Sequence, residues 1–153
     1  MSSFVTTGKE FGYIIALTVA FFVQQQVIFV IPVVRARAAT GIKAPTLYPR
    51  DSEIKKLNLT DAQVDDYYCK QRAHQNNVEF MSVFMPIFVL AGSMGGVIDT
   101  MQVVYAGLVV LGFRMLGGLG YSAGLRKYSG FFHLGELYIL YLLGKAAYDM
   151  ITA

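Results

Sequence analysis

From Phe11 to Val34 the chain reads FGYIIALTVAFFVQQQVIFVIPVV, with no charged residue anywhere in the run. As a helix this stretch is about 36 Å long, enough to cross a hydrocarbon layer about 30 Å thick with some tilt. It is also longer than the 7–15-residue apolar region of a signal peptide, so it reads as an uncleaved first span. The rest of the chain agrees. Of 153 residues, 55% are hydrophobic and 15% charged, too apolar a balance for an ordinary soluble domain. That length holds one domain of about four spans and little else.

The expectation is therefore an all-α membrane protein, a four-transmembrane-helix bundle in a single domain over residues 1–153. The spans are placed at about 11–34, 67–95, 101–121 and 129–150. Gln24, Gln25 and Gln26 sit inside the first. Three amides facing lipid are costly, so at least some should turn inward and bond to other helices. Residues 35–66 form the one substantial polar loop, and within it Thr60 and Gln63 have the spacing of a capping box. A helix should start there and run unbroken to about Gly92, with its first turns in water.

Thirteen Lys and Arg against ten Asp and Glu give a net charge of +3, with no basic stripe interleaved with aromatics, which sets nucleic acid aside. Cys69 is the single cysteine, so neither an intrachain disulfide nor a cysteine metal site is available. With two histidines, and without the paired carboxylates of a di-metal bundle, a metal site is rejected, His133 and Glu136 included. Arg35, Arg37, Lys43, Arg50, Lys55 and Lys56 in the first loop, with Arg126 and Lys127 in the third, place those loops on the cytosolic side. The Asn58–Thr60 sequon should then carry no glycan. No retrieval or lipidation motif names an organelle.

The stretch KQRAHQNNVEF, residues 70 to 80, concentrates polarity where the second long helix enters the bilayer. On a helix Arg72, Asn76 and Glu79 share one face, at i, i+4 and i+7, while Ala73, Phe80 and Phe84 lie on another. A cation, an amide and a carboxylate stacked over two turns suit an elongated zwitterionic ligand. Ionisable groups inside a membrane segment are functional candidates by default, at about 2.5–3.5 kcal/mol each at the bilayer centre. Arg114 and Glu136 have the same status, against the alternative that Arg114 forms a structural ion pair with Glu136 or Glu79.

QRAHQNNVEF before an apolar span, RAR then KAP and LYP after the first span, and RMLGGLGYSAG in the third together resemble the MAPEG family, the membrane-associated proteins of eicosanoid and glutathione metabolism. The likeness is greatest to its type 3 microsomal glutathione transferases. The resemblance implies a homotrimer of four-helix subunits binding glutathione between neighbours near the cytosolic interface, in the membrane of the endoplasmic reticulum or mitochondrion. It also implies glutathione as co-substrate, no metal, and a lipophilic electrophile or lipid hydroperoxide drawn from membrane lipid. By resemblance, Arg37, Arg72, Asn76, Glu79, Arg114 and Tyr121 bind glutathione and Arg126 activates its thiol. The pattern departs from the family at Gly117, where several relatives have tyrosine, at Phe80 and Ser82, and in a longer first loop with an acidic DAQVDD. Those departures keep open an alternative, a non-catalytic subunit of a larger membrane assembly such as a mitochondrial respiratory complex.

Overall fold

The computed structural model describes residues 8–119 and 130–153, and these are helical with no strand among them. The first rod is built from α1 (Lys9–Gln24), a π-helical turn (Gln25–Val30) and α2 (Ile31–Thr40). A short α3 (Asp51–Lys56) lies in the loop that follows, and then come α4 (Asp61–Ser93), α5 (Thr100–Leu119) and α6 (Phe132–Thr152). The first rod continues to Thr40 because nothing breaks it before Gly41, whose φ of 74° ends the helix in the left-handed region that glycine adopts freely. Inside the rod, Pro32 has no N–H to give the Ile28 carbonyl and its ring crowds that carbonyl in α geometry. The wider π turn just upstream accommodates the misfit.

The capping box expected at Thr60 is present: the Gln63 N–H donates to Thr60 Oγ1 at 3.4 Å, and the Thr60 N–H donates to Gln63 Oε1 at 2.9 Å. The α4 helix that it starts runs unbroken through Pro86 to Ser93. The helix α5 packs along α6 on one side and α1 on the other, with α4 against all three. Their shared core is Ile14, Leu17, Phe21, Phe84, Phe88, Val103, Val110 and Ile139. Phe21 meets Phe84 and Phe88 edge-on, at ring-centre distances of 5.3 and 5.8 Å. Close approach depends on glycine at four described positions, Gly92, Gly107, Gly118 and Gly135. A Cβ on Gly107 would lie 2.6 Å from the Phe88 ring, and one on Gly135 would press on the Ala106 carbonyl oxygen.

Large apolar side chains also line the surface of the helices. Phe22, Val23, Val27 and Val34 on the first rod, Tyr105 and Leu116 on α5, and Leu134, Leu137 and Tyr141 on α6 are all exposed. Contiguous exposed apolar area on this scale suits lipid and not water. By length and composition the first rod, Lys9–Thr40, and α5 can each cross a membrane.

The loop between α2 and α4 folds back onto the helices. Arg37 Nη2 (2.8 Å) and the Tyr67 hydroxyl (3.2 Å) both donate to the Thr46 carbonyl, and the Tyr68 hydroxyl donates to that of Pro49 at 3.1 Å. Ile42 is buried beneath, with Ala36 and Tyr67. Segment 35–66 is largely exposed, with helix entering it from both ends and its middle fastened down by aromatic hydroxyls and an arginine.

Candidate ligand site on the second long helix

The α4 helix sorts its polar residues by face. Arg72, Asn76 and Glu79 are exposed and aligned along the outside, as their spacing predicts. Glu79 Oε1 accepts from Gln75 Nε2 at 3.1 Å, and Gln75 Oε1 accepts from the Tyr48 hydroxyl of the loop at 3.0 Å. The loop thus reaches the edge of the stripe. Tyr121 and Arg126 lie outside the described residues.

Behind the stripe, facing the interior, is a polar circuit. Asn77 is 0% exposed, and its Nδ2 donates to Gln25 Oε1 on the π turn. Its Oδ1 accepts from Arg114 Nε of α5 at 3.0 Å, and Arg114 Nη2 donates to the backbone carbonyl of Asn76 at 3.1 Å. The guanidinium lies against two rings that meet edge to face, 4.3 Å from the centre of Phe80 and 4.6 Å from that of Phe132, and each ring attracts a cation. One residue earlier on the first rod, Gln24 Nε2 donates to the Leu111 carbonyl of α5 at 3.0 Å. Two of the three glutamines thus bond to other helices, as their position in an apolar span requires, while Gln26 is exposed.

Neither ion pair considered for Arg114 is present among the described residues: Glu136 Oε2 instead meets His133 Nδ1 at 2.7 Å, and Glu79 is held by Gln75. Arg37 is also apart from the stripe. It stacks on Tyr67, 5.6 Å from the ring centre, and Tyr67 and Gln71 mark the buried face of α4, whereas Arg72 lies outside. Arg37 Nη1 and Gln71 Oε1 are both buried without a hydrogen-bond partner.

The sequence signal that reveals Asn77 is its register. Ala73, Phe80 and Phe84 define one face of α4, and the member missing between 73 and 80 is residue 77. A polar side chain in that slot must be buried and must find partners.

The family model of the MAPEG family matches residues 15–148, which include the stripe, the circuit and most of every long helix. The chain belongs to the MAPEG family. No solved structure matches it. Membership makes this a membrane protein of the kind found in glutathione and eicosanoid metabolism, in agreement with its exposed apolar belts. In this MAPEG chain Arg72, Asn76 and Glu79 run along two turns of the exposed face of α4, and Arg114 reaches the Asn76 carbonyl in the middle of that run. An outer face with both charge signs and an amide can hold a ligand carrying carboxylate, ammonium and peptide groups.

Proposed function

We propose that this MAPEG protein is a multi-pass membrane glutathione transferase and peroxidase, most like the type 3 microsomal enzymes. Its carrying observation is the exposed Arg72–Asn76–Glu79 stripe, backed at Asn76 by the half-buried Arg114. Arg72 pairs with a glutathione carboxylate, Glu79 with its ammonium and Asn76 with its peptide groups. The stripe opens outward from the subunit, so a neighbouring copy in a homotrimer closes the site from the other side. Tyr121 and Arg126 belong to the same site, whereas Arg37 stands apart from the stripe and anchors the loop at its base.

The chemistry needs little beyond the thiolate. An unperturbed thiol has a pKa of about 8.5, and a neighbouring cation lowers it by about 1–3 units. Arg126 supplies that cation. The thiolate then attacks a lipophilic electrophile arriving from the bilayer and forms a thioether, either displacing a leaving group that departs with its bonding electrons or adding to an activated C=C whose carbanion takes a proton from water. With a lipid hydroperoxide, two glutathiones are oxidised to the disulfide and the hydroperoxide is reduced to the alcohol and water.

A second reading, a non-catalytic subunit of a larger assembly in the endoplasmic reticulum or mitochondrial membrane, is favoured by one observation. Arg37 is already engaged in fastening the loop through Thr46 and Tyr67. Two variants separate the readings. Arg72→Ala should weaken glutathione binding, whereas Arg126→Ala should chiefly lower turnover. If both bind glutathione and turn over like the parent, the site assignment is wrong.

A further inference from the structure

We infer that Asn77 is a positioning residue that sets the rotation of α4, and with it the direction in which the glutathione stripe faces. The inference rests on the reading of that stripe as a glutathione site. Adjacent residues of the first rod, Gln24 and Gln25, reach two different helices: Gln24 bonds to Leu111 of α5 and Gln25 to Asn77 of α4. One turn along α5 from Leu111, Arg114 returns to α4 through Asn77 Oδ1 and the Asn76 carbonyl. These bonds close a circuit through three helices, and Asn77 is the only side chain of α4 in it. Both ends of its amide are used, and it is 0% exposed.

The alternative to this arrangement is a rotated α4. The apolar residues of the helix provide a weak guide to rotation in lipid, because lipid accepts either apolar face and the hydrophobic effect does not choose between them. A buried polar contact does choose, as a single buried asparagine does for register in a coiled coil. With Asn77 inward, Arg72, Asn76 and Glu79 must face outward, since a step of one residue turns the helix by about 100°. Rotation by one step would leave Arg114 Nε and the Gln25 amide without partners and turn the stripe away from its ligand. Arg114 acts through the same circuit, holding the Asn76 carbonyl from behind.

The test uses the full chain in detergent, with glutathione binding by calorimetry and a thermal midpoint for each variant. Asn77→Leu removes both bonds. Asn77→Asp keeps an acceptor for Arg114 and can accept from the Gln25 amide once that amide turns over. Val110→Ala, in the core between α5 and α6, is the control for destabilisation alone. The expected result is a Kd about tenfold weaker in Asn77→Leu, equivalent to about 1.4 kcal/mol, with recovery to within a few-fold of the parent in Asn77→Asp. Val110→Ala should lower the midpoint and leave Kd unchanged. Parent-like binding by Asn77→Leu overturns the inference, as does a loss that Val110→Ala reproduces at an equal midpoint. If the parent itself binds no glutathione, the functional reading falls, and rotation is then judged by cysteine scanning of residues 72–79 in a Cys69→Ser background. Asn77→Leu must change which positions react with a water-soluble maleimide, and an unchanged pattern overturns the inference.

Discussion

Asn76 and Asn77 are chemically identical neighbours with opposite surroundings, one exposed on the stripe and the other fully buried against Gln25 and Arg114. The stripe was legible in the sequence because i, i+4, i+7 spacing is a local property of one helix. The partners of Asn77 were not, because they lie on other helices and depend on how α4 is rotated. Glycine shows the same limit. A Cβ on Gly135 meets the Ala106 carbonyl while one on Gly144 in the same helix meets nothing within 4 Å, a difference that the sequence does not state. Gly135→Ala should therefore cost about 1–3 kcal/mol by forcing α5 and α6 apart. Gly144→Ala should be neutral or stabilise by up to about 1 kcal/mol through helix propensity. Reversible unfolding in mixed micelles compares the two directly.

Among the helices, α4 was the most readable. Its start follows from the Thr60–Gln63 pair, and its length follows from the continuity of helix-forming residues up to the glycines after Ser93. Thr60→Ala should lower stability by about 1 kcal/mol and increase amide exchange in the first turn of α4, without altering Arg114 or its partners. The π turn at Gln25–Val30 was not legible, since Pro32 signals a misfit without stating how the chain absorbs it. The fastening of the loop was not legible either: the segment is largely exposed, as its polarity suggests, but the Thr46 carbonyl is taken by Arg37 and Tyr67 and that of Pro49 by Tyr68, partners nine to 21 residues away in sequence. Arg37→Ala should release the loop from its base, and hydrogen exchange at residues 42–50 should rise several-fold while exchange in α5 stays unchanged. Equal exchange in both proteins would show that the arginine does not hold the loop.

At the level of the assembled protein, the helices combine an apolar exterior, a well-packed aromatic centre and one polar level where Gln25, Asn77 and Arg114 meet. MAPEG membership accounts for the apolar exterior, and the glutathione reading places its ligand on the outward-facing stripe beside that polar level. If the stripe binds glutathione for catalysis, the bound thiol must be ionised at neutral pH, because the thiolate is the nucleophile. The decisive experiment is a glutathione titration of the purified, folded protein in detergent, following thiolate absorbance in the ultraviolet. The glutathione reading predicts saturable thiolate formation at neutral pH that weakens in Arg72→Ala. Failure of a folded, oligomeric protein to bind glutathione or form thiolate would contradict it and leave the stripe as a contact surface within a larger membrane assembly.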